Sequence, residues 1–384
     1  MNDKKKILFI EKQLAPDKGG VEKVTHTISR SLQQRGYIIY YAYSTADDPQ
    51  VPIENKLHFS INQSLPKLKQ HWGKFIEQHQ INTIICQNIQ TYKFQQLYKY
   101  LKEKYNIYFL TCLHANPDIW INKNKIGCTT WKIYLKELLR SFIFKISRNP
   151  YKERCIRMYN ITDKYILLSE SFIPIFKQLY HVDGKKLVAI PNPSSFNYEY
   201  KFQENKENTI LVVSRIAEQQ KRISNIIYIW EAIYKKYPNW KLQIVGEGSD
   251  LNYYSKYIQK KKIERVYFEG QQKETSQYYQ KAKIFLMTSI WEGQPMTLLE
   301  SMHNGCIPIV FDTFASLHDI IINKQNGIII PFWNIDLYIT ELKYLIETPK
   351  VLKQMQQNAA ASMKNKFSIE SITNQWEQIL REQL

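Results

Sequence analysis

The sequence predicts an α/β protein with two doubly wound parallel sheets, one in each half of the chain. Short apolar strands alternate with segments of helical period, which is typical of parallel sheets covered by helices on both faces. The two halves also start alike, each with an apolar strand, a loop and a helix, from residues 6–10 and 209–213. A length of 384 residues allows two domains with separate hydrophobic cores.

The strand and helix signals follow one another in regular order. After the strand at 6–10, Gly19 and Gly20 open a helix, and Gly36 ends it before a strand at 37–43. The apolar residues of this helix fall at helical spacing: Val21, Val24, Ile28 and Leu32. Further strands are predicted in the second half at 242–245, 267–268, 284–287 and 307–311.

The domain boundary is predicted at 191–207, a segment that contains two prolines and then becomes polar and charged. We therefore expect one domain at 1–195 and another at 205–365. The remaining segment, 366–384, is predicted to contain an amphipathic helix that packs back on the first domain. Its apolar face carries Ile372, Trp376 and Ile379.

The composition is that of an ordinary globular protein, with 44% hydrophobic residues, but the charge is unusual. With 53 Lys+Arg against 35 Asp+Glu, the net charge is +18, which favours nucleic acid, an anionic membrane or a phosphorylated substrate as partner. The apolar run at 7–10 is too short for a signal sequence, so we expect a cytoplasmic protein. Scattered cysteines without a C-x-x-C pair agree with reduced thiols: Cys86, Cys112, Cys128, Cys155 and Cys306.

The most informative segment is 291–300, where two glutamates, Glu292 and Glu300, flank a Gly-x-Pro turn. Pro295 suits the first turn of a helix. The N–H groups that follow are then expected to lack partners and to form an anion site: those of Met296, Thr297 and Leu298. Two carboxylates around a phosphate-binding helix end suit a ligand with phosphates and many hydroxyl groups, such as a nucleotide-sugar. The pair alone is weak support, because a strand, a loop and a helix with an exposed Glu are common in α/β proteins.

Together the motifs resemble those of the family 4 glycosyltransferases, retaining bacterial enzymes of the GT-B fold that build surface polysaccharides. The resemblance covers nearly the full length and is strongest over 209–331. Its segments, in chain order, are Gly19-Gly20-Val21-Glu22, Leu113-His114-Ala115-Asn116-Pro117, Ser214-Arg215-Ile216 with Lys221-Arg222, Glu292 with Glu300, Gly305-Cys306-Ile307-Pro308 and Asn326-Gly327. It implies two Rossmann-like domains facing across a cleft, with acceptor binding by 1–195 and donor binding by 205–365.

The resemblance also implies a role for each site residue. Arg215 and Lys221 would neutralise the leaving diphosphate together with the helix end, without a metal or other cofactor. Glu300 would hold the ribose and Glu292, next to Gly293, the donor sugar. On the first domain, the resemblance implies that His114 contacts the donor sugar or the acceptor, and that Gly19 and Gly20 let the backbone approach the substrate. The resemblance further implies a retaining hexosyltransferase without a protein nucleophile. It favours uridine as the donor base, which the sequence leaves open.

For each of these residues there is a purely structural alternative. Arg215 is, taken alone, more simply a surface residue after a strand, and Glu300 part of a solvated helix face. A lone histidine such as His114 is more often structural than catalytic. The glycine pair is also compatible with an ordinary strand-to-helix turn.

A basic stretch at 118–160 has ten Lys/Arg against three Asp/Glu. Apolar residues at helical spacing predict a basic amphipathic helix suited to an anionic membrane surface: Trp131, Tyr134, Leu135, Leu138, Phe142 and Ile146. Its cationic stripe consists of Lys132, Lys136 and Arg140. The alternative is a helix packed on its own domain with a solvated basic side.

Three other functions compete with the transferase. A nucleotide-sugar epimerase or a phosphorylase of the same fold would share much of the site. A nucleic-acid-binding protein would explain the charge of +18, but the sequence contains no helix-turn-helix, RNP or zinc motif. We therefore expect no nucleic acid as partner, and a saccharide or polyprenyl-diphosphate-linked saccharide as acceptor.

Overall fold

The computed structural model of the chain describes residues 5–16, 19–119, 149–196 and 205–382. These residues form two compact units. The first contains 5–119 and 149–193, without 17–18, together with the terminal segment 369–382; the second contains 194–368, without 197–204. The predicted basic helix at 131–146 lies outside the described residues.

The first unit is built on a sheet of seven parallel strands in the order β3-β2-β1-β4-β5-β6-β7. The strands are β1 (Lys6–Ile10), β2 (Ile38–Tyr43), β3 (Lys56–His58), β4 (Thr83–Cys86), β5 (Tyr108–Leu113), β6 (Lys164–Leu167) and β7 (Leu187–Ala189). Its described helices are α1 (Gly20–Gln34), α2 (Leu65–His79), α3 (Tyr92–Tyr105), α4 (Pro150–Ile161) and α5 (Phe172–Tyr180), with a short 3₁₀ turn at Ile53–Asn55. The central strand β1 is buried from Ile7 to Ile10, which explains its uninterrupted apolar sequence.

The second unit has six parallel strands in the order β10-β9-β8-β11-β12-β13. The strands are β8 (Glu207–Val213), β9 (Lys241–Val245), β10 (Val266–Phe268), β11 (Ala282–Met287), β12 (Ile307–Phe311) and β13 (Ile328–Ile330). Its described helices are α6 (Glu218–Lys221), α7 (Ile223–Glu231), α8 (Leu251–Lys261), α9 (Ser276–Lys281), α10 (Met296–His303), α11 (Leu317–Ile320), α12 (Ile335–Glu347) and α13 (Pro349–Lys366). The predicted α/β class with two parallel sheets is confirmed.

The last helix, α14 (Ile369–Arg381), belongs to the first unit. Its apolar face is buried, as the sequence indicates, through Ile372, Trp376, Ile379 and Leu380. The Arg35 guanidinium holds it from α1, donating to Glu377 at 2.7 Å and to Asn374 Oδ1 at 2.6 Å. The chain therefore returns from the second unit to complete the first. None of the described helices combines the length and the apolar character needed to cross a bilayer.

Both sheets reverse their strand order near the middle, between β1 and β4 in the first unit and between β8 and β11 in the second. Ligands of open parallel sheets bind at such a reversal, outside the carboxyl ends of the strands. The loops that follow β8 and β11 therefore mark the first place to look for a site.

Candidate active site

The second unit brings together two loops that lie far apart in the sequence. The loop after β8 carries Arg215 and Lys221, and the loop after β11 carries Glu292 and leads into α10. Strands β8 and β11 are direct neighbours, with Ile210 opposite Ile284. The carboxyl ends of both strands therefore lie at one edge of the sheet.

Hydrogen bonds hold the two loops together through their backbones. The Ile290 N–H donates to the Gln220 carbonyl at 2.9 Å, and the Gln220 side-chain amide donates to the Trp291 carbonyl at 3.0 Å. The Thr288 hydroxyl lies 3.0 Å from the carbonyl of Lys221 and 2.9 Å from that of Arg222. No sequence motif indicates these contacts, which fix the loops relative to each other.

The Lys221 ammonium and the Glu292 carboxylate form an ion pair, with 2.6 Å between Nζ and Oε1. The two side chains are only 14% and 11% exposed, so water screens the pair poorly. The resemblance implies that the two residues bind different parts of a ligand. In this structure, their side chains contact each other.

Arg215 is the exposed cation of the site. Its guanidinium donates to the neutral side chain of Gln220 at 3.2 Å. Among the described residues, no carboxylate forms an ion pair with Arg215, so its charge remains available to an anion. It follows a strand and lies at the surface, so exposure alone does not separate the functional interpretation from the structural one.

Helix α10 begins at Met296, with Pro295 as its N-cap rather than in its first turn. The prediction that the Leu298 N–H lacks a partner is wrong, because it donates to the Pro295 carbonyl at 3.1 Å. Met296 and Thr297 remain at the first turn, where an α-helix offers no acceptor to its N–H groups. The carbonyl of the preceding Gly293 accepts a hydrogen bond from the Ser316 hydroxyl at 2.5 Å, which fixes the backbone there.

Glu300 is 4% exposed, so it does not lie on a solvated helix face. Its carboxylate accepts a hydrogen bond from the buried Tyr279 hydroxyl at 3.0 Å. Burial and the neighbouring Glu300 charge raise the pKa of Tyr279 well above its ordinary value, so the phenol keeps its proton and remains a donor. Tyr279 thus orients the carboxylate, a role that helical spacing within 291–300 could not reveal.

The turn after β9 packs against the backbone of the loop that carries Arg215. Gly246 has φ of +137°, and a Cβ there would lie 2.0 Å from the Ser214 carbonyl oxygen. A Cβ at Gly248 would lie 2.1 Å from the Ile216 carbonyl oxygen, while the Ile216 N–H donates to the Glu247 carbonyl at 2.8 Å. The Gly-x-Gly pattern directly after a strand was the available sequence signal for this close approach.

Glu218, the first residue of α6, is a second support that sequence reasoning missed. Its carboxylate accepts from the Ser224 hydroxyl at 2.6 Å, from the Arg222 guanidinium at 3.3 Å and from the Tyr254 hydroxyl. Arg222 itself adopts the left-handed conformation with φ of +51°. These contacts hold the single helical turn that ends at Lys221.

In the first unit, His114 follows β5 and Gln87 follows β4, and their side chains meet with 2.6 Å between His114 Nε2 and Gln87 Oε1. Burial lowers the pKa of His114 to about 4, so the imidazole is neutral near pH 7. With Nε2 as the donor to Gln87, Nδ1 is left as an acceptor. This geometry allows a hydrogen bond to a hydroxyl group but no positive charge.

The glycine pair precedes and opens α1, with Gly19 as N-cap and Gly20 as the first helical residue. A Cβ at Gly19 would lie 2.5 Å from a carboxylate oxygen of Glu22, so glycine permits this side chain to fold back under the loop. Glu22 is the third residue of the helix, the position from which a glutamate reaches back toward its N-cap. A larger residue at position 19 would therefore require only that the flexible Glu22 side chain move, since the Gly19 backbone is extended with φ of −178°.

A family model matches this chain over residues 197–362, that of the glycosyl transferases group 1, and the match contains Arg215, Lys221, Glu292 and Glu300. Two curated relatives extend the likeness. The amylovoran biosynthesis glycosyltransferase AmsD of Erwinia amylovora is 24% identical over 94% of this chain and 96% of its own length. An α-1,4-N-acetyl-D-galactosaminyltransferase of Campylobacter jejuni, named for a diphosphate-undecaprenol-linked saccharide, is 23% identical over 78% of this chain and 86% of its own length.

The chain is a glycosyltransferase, and its residues 197–362 are similar to those of this group. Its fold is that of the GT-B enzymes. The crystal structure of Anabaena HepE in complex with UDP superposes with a TM-score of 0.75 at 16% identity, covering 98% of this chain and 100% of that one. The glycosyltransferase resemblance and the predicted GT-B fold are therefore confirmed, whereas the role of each site residue stays a prediction.

Gly246→Ala is expected to lower the free energy of unfolding by more than about 2 kcal/mol, because it combines an unfavourable φ with a clash against the backbone. Gly36→Ala is the matched control, since Gly36 has φ of +93° but no atom within 4 Å of its Cβ position. Urea unfolding of both variants separates the two effects. Equal losses would show that the Ser214 contact contributes nothing.

His114 is expected to make stability depend on pH between its unfolded pKa near 6.5 and its folded pKa of about 4. As the pH falls through this window the unfolded chain takes up a proton that the folded chain refuses, so stability falls, by on the order of 3 kcal/mol in total. Urea unfolding from pH 4.5 to 7.5 should give a shallower pH dependence for His114→Asn than for the wild type. Identical slopes would contradict the neutral, buried imidazole.

Proposed function

We propose that this glycosyltransferase moves a hexose or N-acetylhexosamine from a nucleoside-diphosphate sugar, with UDP favoured, to a saccharide or lipid-linked saccharide in surface polysaccharide synthesis. The observation that carries the proposal is the meeting of Lys221, Glu292 and the amino end of α10 at the reversal of the second sheet. Two basic groups, a helix end and a carboxylate within one small region suit a diphosphate joined to a polyhydroxylated sugar.

Departure of the nucleoside diphosphate leaves negative charge on its terminal phosphate. Arg215 is exposed and without an ion-pair partner among the described residues, so it is placed to receive this phosphate first. Lys221 and the N–H groups of Met296 and Thr297 would add fixed positive charge and hydrogen-bond donors. In this proposal these protein groups supply the charge stabilisation, and no metal ion is required.

The two glutamates would bind the neutral parts of the donor. Glu292 would accept hydroxyl groups of the sugar, and Glu300, oriented by Tyr279, those of the ribose. In the proposed retaining reaction, the bond from the anomeric carbon to the diphosphate breaks and the acceptor oxygen bonds to that carbon on the same face. The departing phosphate oxygen takes the acceptor's proton, so the protein needs no general base.

In the first unit, two further groups would bind the substrate. A neutral His114, held by Gln87, would offer Nδ1 to a hydroxyl group of the sugar or of the acceptor. Gly19 and Gly20, exposed at the start of α1, would let the substrate approach the backbone. Both proposals rest on the motif order in the sequence and on the placement of these residues at the carboxyl edge of the first sheet.

The relatives support the choice of donor and acceptor. UDP is the nucleotide bound by HepE. AmsD is named for biosynthesis of a polysaccharide, and the Campylobacter enzyme for an acceptor carried on undecaprenol diphosphate. A lipid carrier of this kind would place the reaction at the inner face of the cell membrane.

A thermal-shift screen against UDP, GDP, ADP, CMP and inorganic phosphate tests the proposal. We expect one nucleoside diphosphate, UDP first, to raise the melting temperature, since a ligand at 100 times its Kd stabilises by about 2.7 kcal/mol. The Arg215→Ala/Lys221→Ala variant should lose the shift. A response to phosphate alone would favour a phosphorylase, and a nucleotide shift that survives in the variant would place the site elsewhere.

Membrane association is proposed from the basic stretch 118–160. We expect the protein to sediment with vesicles rich in anionic lipid and not with neutral vesicles, and Lys132→Glu/Arg140→Glu to lose the binding. Lys260→Glu/Lys261→Glu changes the net charge equally on an exposed part of α8 and serves as the control. Equal loss in both variants would attribute the binding to total charge. Unchanged binding in the first variant would exclude Lys132 and Arg140 as the contact.

A further inference from the structure

We propose that Lys221 exchanges partners when the donor binds. Its ammonium group moves from the Glu292 carboxylate to the diphosphate, and the carboxylate becomes free to bind the sugar. Glu292 then has two opposite effects: it competes with the nucleotide for Lys221, and it recognises the sugar. The inference rests on the proposed function, which it deepens by linking recognition of the two halves of one substrate.

The starting arrangement is the ion pair itself. Nζ and Oε1 lie 2.6 Å apart and both side chains are largely buried, so each charge is compensated by the other rather than by water. A diphosphate that approached this pair unchanged would meet a neutral unit, with a carboxylate next to its own negative charge. The nucleotide therefore gains the Lys221 charge only by displacing Glu292.

The surrounding backbone does not need to move for this exchange. Thr288 holds the carbonyls of Lys221 and Arg222, and Gln220 is hydrogen-bonded to the residues just before Glu292. Both ends of the pair are thus fixed at Cα, and rotation of the side chains is sufficient. Such rotations are fast compared with a loop closure.

A small cavity borders Lys221 at the carboxyl ends of β8 and β11, lined also by Ser214, Ile223 and Ser289. Its volume of about 10 Å³ holds no more than one water molecule, so the lysine reaches a diphosphate through its exposed side, where the side chain is 14% accessible.

Arg215 determines the order in which the phosphate contacts form. It is exposed and hydrogen-bonded only to a neutral amide among the described residues, so it can hold a phosphate while Lys221 is still paired. The second phosphate contact then draws Lys221 away from Glu292. In this sequence a sugar-recognising carboxylate becomes available only after a diphosphate is present.

The test is isothermal titration of UDP into the wild type, Glu292→Gln and Glu300→Gln. Glu292→Gln removes the competitor and is expected to bind UDP about tenfold more tightly. Its rate of sugar transfer from a UDP-hexose should nevertheless fall by about 100-fold, because the acceptor for the sugar hydroxyl groups is lost. Glu300→Gln removes the same charge from a carboxylate that binds Tyr279 instead, and is expected to bind UDP more weakly.

The possible results separate this inference from the proposed function. If UDP binds the wild type but Glu292→Gln binds it equally or less tightly, the proposed exchange of partners is wrong. The proposed donor site is then not contradicted. If no nucleoside diphosphate binds the wild type at all, both are wrong. Melting curves establish that each variant is folded, and Glu292→Asn, which removes the same charge with a shorter side chain, replaces Glu292→Gln should that variant be unstable.

Discussion

The pairing of β8 with β11 is the constraint on which the whole candidate site depends. These strands are neighbours in the sheet although more than sixty residues separate the end of one from the end of the other. Because parallel strands end at the same edge, the loop with Arg215 and Lys221 meets the loop with Glu292. If another strand lay between β8 and β11, about 4.8 Å would be added and the ion pair could not form. The strand order alone therefore brings the two loops together, independently of their side chains.

The fold could be predicted from the sequence because its signals are local. Strand β12 is buried at every position, so its five residues are apolar or proline without interruption, and the predicted range 307–311 is the observed one. Helix α10 ends at His303, and Gly305 follows with φ of +60°, a conformation in which glycine is the usual residue after a helix. Patterns of this kind need only neighbouring residues, and periodicity and glycine positions report them directly.

The contacts within the site could not be predicted in the same way. Lys221 and Glu292 are 71 residues apart, and their pairing follows from strand order and from the lengths of two loops. The same is true of Glu300 with Tyr279 and of His114 with Gln87, where one partner carries no motif. The error at Leu298 has a different cause: the helix closes its first turn on the Pro295 carbonyl, a detail of cap geometry that residue types do not determine. Motifs predict which residues belong to the site, and the tertiary structure shows which side chains these residues contact.

The two basic residues of the site differ in how their charges are compensated. The chain carries +18 overall, yet at this sheet edge the charge of Lys221 is balanced by Glu292. Arg215 is exposed and forms no ion pair with a described carboxylate. A site of this kind attracts an anion over a distance through the general positive field, and selects it at close range by a specific exchange of partners.

The most direct test of this account is a crystal structure of the protein with UDP bound. The account predicts phosphate oxygens within about 2.7–3.2 Å of Lys221 Nζ and of the N–H groups of Met296 and Thr297, with Glu292 released from the lysine. UDP bound at another edge of the sheet, or bound here with Lys221 still paired to Glu292, would contradict it.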